Sequence, residues 1–235
     1  MTATKVGIRE FRAGLAEYID ADAAIAVTRH GQTVGYFIPT RGDRAAEVAK
    51  LKAAGEKLDA LLQVEESEVD VMVEEFKQLG ARPASSGFWL SGRPRRQHPD
   101  PCSPRARVKM IITDHAEHAE FFAPEVAYGD AERYLPDILA KHDRAVEIDD
   151  ALAFLEQLRA VVVSVPEELY EHRKADALSR IESRDPDDWP VLASALVIEC
   201  PVWTEDRDFF GTGVPTWTTD RIELYFGLGQ PGNRG

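Results

Sequence analysis

The chain has 235 residues, enough for one large domain or two small ones, and 44% of them are hydrophobic while 29% are charged. This composition is typical of a globular protein, and a net charge of −13 argues against a protein that coats nucleic acid over its whole surface. No apolar run approaches the roughly 18–20 residues of a membrane span, and the N-terminus lacks the apolar core of a secretion signal. Cys102 and Cys200 lie far apart without a metal-type spacing, which suits a reducing compartment. Together with the lack of a membrane span and of a secretion signal, this predicts a cytoplasmic protein without a membrane partner.

The charge is unevenly distributed along the chain. Residues 1–42 contain five basic and four acidic residues, a net charge of +1, which leaves −14 for the remainder. Acidity concentrated in one part of a chain fits a carboxylate-lined cation site, and it fits an ordinary solvated surface equally well.

Residues 5–40 predict a small β-α-β-β unit. A strand at 5–8 precedes a helix at 9–22, whose apolar residues Phe11, Leu15, Tyr18 and Ile19 share one face. Alternating residues then predict strands at 24–30 and 33–39, joined by a tight turn at 31–32. About 40 residues form too small a core for a comfortable monomer, so we expect a dimer that shares the sheet.

The next two segments differ sharply in composition. Residues 43–79 contain no proline and carry apolar residues at steps of three and four, which predicts one or two amphipathic helices in need of a partner surface. Residues 81–107 contain five prolines, six arginines and almost no acid, which predicts a linker or a poorly packed segment.

The remainder predicts a compact α/β domain. Strands are expected at 108–113, 160–165, 201–204 and 214–218, and helices at 126–141, 147–159, 167–181, 187–198 and 220–226. Such alternation implies a mostly parallel sheet that is covered by helices on both faces.

Two motifs in the first segment carry a family resemblance. The stretches VGIREFRAGLAEYI (6–19) and IAVTRHGQTVGYFIP (25–39) resemble the prevent-host-death (Phd/YefM-type) antitoxin family over residues 1–42. The resemblance implies a dimer that binds operator DNA through this N-terminal module and wraps a toxin with the helices that follow. Arg9, Arg12 and Arg29 are then the candidate DNA-binding residues, because guanidinium groups offer paired donors to phosphate oxygens. The alternative is that they are ordinary surface arginines.

The C-terminal half resembles PIN-domain ribonucleases of the VapC-type toxin class, from about Lys109 to Phe226. Three stretches carry the resemblance: FFAPEVAYGDAERY (121–134), RDPDDWPVLASA (184–195) and PVWTEDRDF (201–209). The resemblance implies an RNA substrate and a cluster of carboxylates that holds Mg²⁺ or Mn²⁺, cations that prefer oxygen ligands.

The carboxylates of this implied site are named by position in the motifs. Asp130, Asp188 and Asp206 are the candidate catalytic and metal-binding residues, with Asp208 as an auxiliary ligand and Glu132 as the substitute for Asp130. Each has an ordinary alternative: the acids at 185–188 suit a helix cap, and Thr204 with Asp206 suits a plain strand exit.

His115 and His118 could ligate a metal but fit an exposed helix turn better. The tryptophans at 189, 203 and 217 fit a core better than a base-stacking platform.

One essential part of a PIN domain is missing from the chain as written. The family begins with an apolar strand ending in Asp, followed by a small residue and Asn, but here the proline- and arginine-rich segment stands in that place. Shifting SGRPRRQHPDPCSP (91–104) forward by one base permits LVVLDANTLILALL, which is that strand with its Asp and Asn. We hypothesise that residues from about 86 to 107 are translated out of frame, through a gene lesion or a sequencing error.

The sequence therefore predicts a fusion of an α/β type: an N-terminal module (1–42), a helical arm (43–80), a linker (81–107) and a PIN-like three-layer domain (108–230). The predicted function is a fused type II toxin–antitoxin protein whose Mg²⁺-dependent endoribonuclease is inactive or restrained as written. Its expected partners are operator DNA, RNA if the site is intact, and further copies of itself in a homodimer or higher oligomer. The alternative is a DNA-binding autorepressor with a vestigial, non-catalytic PIN domain.

Overall fold

The computed structural model describes residues 4–21, 24–39, 43–62, 71–72, 75–76, 88–92, 104–142, 144 and 147–228. Residues 4–37 form a three-stranded sheet with two short helices: β1 (Thr4–Gly7), α1 (Ile8–Ala13), α2 (Leu15–Ile19), β2 (Ile25–Arg29) and β3 (Gln32–Phe37). The central strand, β2, pairs in parallel with β1 and antiparallel with β3. The order of elements is the predicted β-α-β-β.

Two details of this module differ from the prediction. The predicted single helix is interrupted at Gly14, which separates α1 from α2. The hairpin turn lies one residue earlier than expected, because His30 and Gly31 both adopt positive φ angles of 53° and 80°. Two consecutive positive φ angles match the twist of the flanking strands, which is why a glycine is needed there.

The rest of the chain supplies a long helix and a larger α/β unit. Its elements are α3 (Arg44–Leu62), β4 (Phe88–Gly92), α4 (Pro104–His115), β5 (Ala119–Pro124), α5 (Glu125–Lys141), α6 (Ile148–Val161), β6 (Val162–Val165), α7 (Glu167–Tyr170), α8 (Lys174–Ile181), α9 (Trp189–Ile198), β7 (Val202–Trp203), β8 (Thr216–Trp217) and α10 (Ile222–Leu228). Within the segment that the sequence predicts to be helical, α3 and residues 71–72 and 75–76 are helical.

The five strands of the larger sheet lie in the order β6-β5-β4-β7-β8, with helices on both faces. Alternation along β5 places Phe121 in one core, with residues of α3, α4, α5 and α6, and Phe122 in the other, with residues of α7, α8 and α9. Val202 and Trp203 divide between the two cores in the same way. A mixed α/β fold with a sheet between two helical layers is therefore confirmed.

Three sequence predictions for this unit were wrong. The segment 108–113 is not a strand but part of α4, since Val108, Ile111 and Ile112 follow the three-and-four spacing of a helix face. The strand at Ala119–Pro124 was missed, although it lies beside the centre of the sheet. The predicted linker contains β4, whose five residues lie within the proline-free stretch 84–93, whereas the prediction weighed the prolines of the whole segment together.

No helix within the described ranges combines the length and the apolar character needed to cross a bilayer.

Candidate functional site

The carboxyl ends of four strands define the candidate site. Strands β5 and β6 are parallel, as are β7 and β8, and β4 is antiparallel to both β5 and β7. The carboxyl ends of β5, β6, β7 and β8 therefore lie at one edge of the sheet. Helix α5 begins directly after β5, and α9 runs back before β7, so the N-termini of both helices lie at this edge as well. The topology thus brings Asp130, Asp188 and Asp206 to the same edge.

Asp188 precedes the first turn of α9 and is only 8% exposed. Its carboxylate makes no capping hydrogen bond to that helix. The cap of the preceding turn is Asp185 instead, whose Oδ1 accepts a hydrogen bond from the Asp187 backbone N–H at 2.8 Å. The capping role that the sequence allowed for this acidic run is therefore filled by Asp185, which leaves a buried acid, Asp188, at a helix N-terminus that favours negative charge.

Asp206 and Asp208 follow β7 in a tight turn. The Thr204 hydroxyl accepts a hydrogen bond from the Asp206 N–H, and Asp206 Oδ1 accepts one from the Asp208 N–H, both at 3.0 Å. One carboxylate oxygen of Asp206 is thereby used to cap the short helical turn Arg207–Phe209. These local hydrogen bonds match the ordinary turn after a strand that the sequence analysis gave as the alternative for Thr204 and Asp206.

Asp130 and its substitute, Glu132, lie in the second turn of α5. Asp130 is half-buried. Glu132 forms an ion pair with Arg159 of α6, Oε1 to Nη2 at 2.8 Å, and Arg159 lies over the Tyr128 ring at 4.8 Å. Because Glu132 is held at the α5–α6 contact, it is a structural residue of that helix pair.

Two arginines that the sequence analysis missed brace the loop after β7. Arg184 donates hydrogen bonds from Nη1 to the carbonyl oxygens of Asp208 and Phe210, and Arg180 donates to that of Thr212 at 3.1 Å. Arg180 is itself held by Asp176, Nε to Oδ1 at 2.9 Å. The only sequence signal was a pair of arginines four residues apart before an Asp-Pro turn, which is also common on exposed helices.

The described carboxylates do not fit a divalent ion. No group of three or more His, Cys, Asp or Glu side chains within the described ranges is placed to hold a metal. Strand β4 gives a physical reason, because Phe88 pairs with Trp203 and Gly92 pairs with Ala119. The carboxyl end of β4 therefore lies at the opposite edge of the sheet from Asp206, and the five described residues of β4 include no acid.

The two candidate metal-binding histidines are also apart from this edge. The His115 ring stacks on Phe226 with centroids 3.9 Å apart, and burial lowers the pKa of its imidazole. The stacked His115 ring therefore packs α4 against α10. Trp189 and Trp203 are buried, one in each core, as the sequence favoured, and Trp217 packs against the core that contains Trp203.

The three candidate DNA-binding arginines are exposed on the N-terminal module. Arg9 and Arg12 lie on α1, and Arg29 ends β2 next to the hairpin turn. Their side chains are accessible to a ligand, and their role stays a prediction.

The family model described as PIN domain matches residues 102–227. This match spans more than half of the chain, and the chain therefore belongs to the PIN-domain family. PIN domains indicate a toxin-related nuclease and generally use divalent metal ions. No curated protein and no solved structure matches the chain.

Proposed function

We propose that the chain is a type II toxin–antitoxin pair in one cytoplasmic polypeptide. The N-terminal module binds operator DNA, and the arm holds the chain's own PIN domain, which does not cleave RNA as written. The single observation that carries this proposal is the packing of α3 into the core of the PIN domain.

Helix α3 contacts α4 and α6, and it runs antiparallel to α6, since Arg44 meets Val161 while Lys57 meets Asp150. Leu51 of α3 is 1% exposed and belongs to the same buried cluster as Ile111 of α4 and Leu155 of α6. An antitoxin arm that wraps a toxin requires this kind of contact, in which an amphipathic helix lies in an apolar groove.

Gly55 lies where α3 meets residues of α4 and α6. A Cβ added at Gly55 would lie 2.6 Å from Lys109 Cδ and 3.3 Å from Phe154 Cε2. Two residues further along α3, Lys57 Nζ lies 2.5 Å from Asp150 Oδ1 of α6. A packing contact and an ion pair therefore join this part of α3 to the PIN domain.

A second part of the arm contacts α5. Phe76 is 8% exposed and packs edge-on against Tyr134, with ring centroids 6.2 Å apart. Glu75 pairs with Lys141 at 2.6 Å and with His142 at 3.2 Å. The arm thus covers one helical face of the PIN domain, which supports docking in cis.

The N-terminal module meets the PIN domain through the end of β3. The Tyr36 hydroxyl donates a hydrogen bond to the Glu168 carbonyl oxygen at 3.1 Å, and Tyr36 and Ile38 pack against the core beneath α7. This contact leaves α1 and the hairpin turn free. The DNA-binding arginines therefore stay accessible while the PIN domain is docked.

Exposed apolar side chains on the module support the proposed dimer. Ile8, Leu15, Ile19 and Val34 are between 37% and 57% exposed. Such side chains on a 34-residue sheet-and-helix unit are the surface that a second copy would bury.

The second candidate function is an autorepressor with a vestigial PIN domain. It is favoured by the absence of a metal-holding group among the described residues. The two candidates agree on DNA binding and differ in whether restoring the reading frame restores catalysis.

We expect the full chain to bind DNA from upstream of its own gene, with an affinity that falls steeply as salt rises. Replacing Arg9, Arg12 and Arg29 with Ala should weaken binding and reduce the slope of log K against log salt concentration by about one for each lost phosphate contact. A triple replacement of Arg133, Arg207 and Arg221 removes the same charge from exposed positions of the PIN domain and is the matched control. Gel-shift titrations measure both. Equal losses in the two triple variants would contradict the proposed interface.

We expect the contact between the arm and α5 to depend on pH. The hydrogen bonds from Lys141 and His142 lower the pKa of Glu75 below its ordinary value of 4.5. A carboxyl whose folded-state pKa is depressed stabilises the fold above its unfolded-state pKa, and this contribution is lost as the pH falls through the folded-state value. Glu75→Gln should therefore lower the free energy of unfolding at pH 7 and have little effect once the pH lies well below 4. Urea denaturation at both pH values, with the exposed Glu56→Gln as control, measures the difference; a pH-independent effect would contradict it.

A further inference from the structure

Arg44, the first residue of α3, reaches three backbone carbonyl groups of the PIN domain. Its Nε donates a hydrogen bond to the Ala116 oxygen, and its Nη2 donates to the oxygens of Ala119 and Val161, both at 3.3 Å. We call these three carbonyl groups the guanidinium socket. They belong to the residue that follows α4, the first residue of β5 and the last residue of α6.

The local sequence of α3 does not explain an arginine at this position. A cation at a helix N-terminus faces the positive end of the helix dipole, which is unfavourable. The capping role is already filled by Asp43, whose Oδ1 accepts a hydrogen bond from the Ala46 N–H at 3.1 Å. The position of Arg44 is therefore explained by its partners on the PIN domain.

The socket has the electrostatics and the shape that suit a guanidinium group. The last carbonyls of a helix have no partner within it and carry partial negative charge, and two helix ends meet here. Burial lowers the pKa of Arg44, while the nearby Glu120 carboxylate opposes that shift. A planar guanidinium offers five donors in a fixed geometry, whereas a lysine ammonium is a compact point charge.

We propose that the guanidinium socket is the site by which the PIN domain recognises its arm, with Arg44 as the specificity-determining residue. The socket lies at the amino-end edge of β5 and β6, opposite the edge that carries Asp188 and Asp206. Arg44 thus selects and anchors the arm without covering the candidate site. This inference rests on the docking of the arm in cis that forms part of the proposed function.

Amide hydrogen exchange of the full chain tests the socket. Arg44→Met and Arg44→Lys should each lower the protection of residues 44–62 against amide exchange by at least about tenfold. Both variants lose the guanidinium donors that bind the carbonyl groups of the socket. Lys52→Met, an exposed replacement on the same helix, should stay within about twofold of the unsubstituted chain. In Arg44→Ala, added methylguanidinium should recover part of the lost protection, whereas methylammonium at equal ionic strength should not.

Each outcome decides the inference. Wild-type protection in Arg44→Lys would mean that charge alone suffices and would overturn recognition by the socket, as would equal effects of Arg44→Met and Lys52→Met. Protection of α9, which lies in the other core, reports whether the domain stays folded. If Arg44→Ala loses that protection too, recovery with methylguanidinium supports the socket and failure to recover overturns it. If α3 is unprotected even in the unsubstituted chain, the docking in cis fails; if α3 stays protected in every variant, only the socket fails.

Discussion

The chain as written is expected to show no metal-dependent cleavage of RNA, and a frame-restored chain is expected to gain it. The restored chain replaces residues 91–104 with LVVLDANTLILALL. The central position of the sheet is now filled by β4, which runs against its neighbours β5 and β7. A strand parallel to those neighbours would end at the edge where Asp188 and Asp206 lie, and its Asp would add the carboxylate that this edge lacks.

Two measurements separate metal binding from catalysis. Calorimetry with Mn²⁺ should show weak or no binding to the chain as written and a distinct site in the restored chain, since hard divalent cations need several oxygen ligands. RNA cleavage in Mg²⁺ or Mn²⁺ should rise on the order of 100-fold or more in the restored chain, because charge stabilisation by positioned groups supplies much of the rate. The binding measurement remains informative if the docked arm restrains cleavage.

Matched substitutions identify the ligands in the restored chain. Asp188→Asn and Asp206→Asn should each remove the gained Mn²⁺ site and the gained activity. Asp137→Asn changes an exposed acid on α5 and should leave both unchanged. Metal-dependent cleavage by the chain as written would show that the missing strand is not essential. A restored chain that neither binds metal nor cleaves RNA would favour the vestigial PIN domain.

Leu51→Ala is expected to destabilise the arm and the PIN domain together, by about 2–5 kcal/mol. Leu51 is 1% exposed and lies in a cluster with residues of α4, α5 and α6, so its truncation leaves a cavity where the arm meets the domain. If the arm only contacted the surface of the PIN domain, its dissociation would leave the free energy of unfolding of that domain unchanged. Because its side chain is part of the core, we expect one cooperative loss.

Urea denaturation followed by tryptophan fluorescence measures this loss, since all four tryptophans of the chain lie at position 89 or beyond. The control is Leu224→Ala, a leucine of α10 that is 47% exposed, which should change the free energy of unfolding by no more than about 0.5 kcal/mol. A Leu51→Ala variant whose tryptophan transition matches that of the unsubstituted chain would contradict the shared core.

Much of the fold could be predicted wherever one periodicity dominates a segment. The alternation at residues 25–37 predicts the β2–β3 hairpin, and the proline-free run after residue 43 predicts α3. The segment 108–113 was predicted wrongly because a short apolar run fits both a strand and a buried helix. The three-and-four spacing of Val108, Ile111 and Ile112, extended back to Pro104, would have favoured the helix.

The candidate site was predictable only as a set of residue types. The acids at 130, 188 and 206 could be named from the motifs, and their common edge follows from the alternation of strands and helices. Their hydrogen bonds could not be predicted, because whether Asp206 caps its own turn or faces a ligand depends on backbone angles that the sequence leaves open. Arg180, Arg184 and Arg44 were missed for the same reason, since an arginine that binds backbone carbonyls leaves no pattern in the residues that supply them.

The sequence by itself therefore determined the order and type of most elements and the acidic residues available for a PIN site, and it predicted that the strand ending in Asp is missing. The direction of β4, the packing of α3 and the position of Arg44 were decided only by the tertiary structure. These features arise from contacts between segments far apart in the chain: Gly92 pairs with Ala119, Leu51 shares a buried cluster with Ile111, and Arg44 binds the Val161 carbonyl. Local periodicity reports which face of an element is apolar, but the partner of that face is selected by the packing of the whole core.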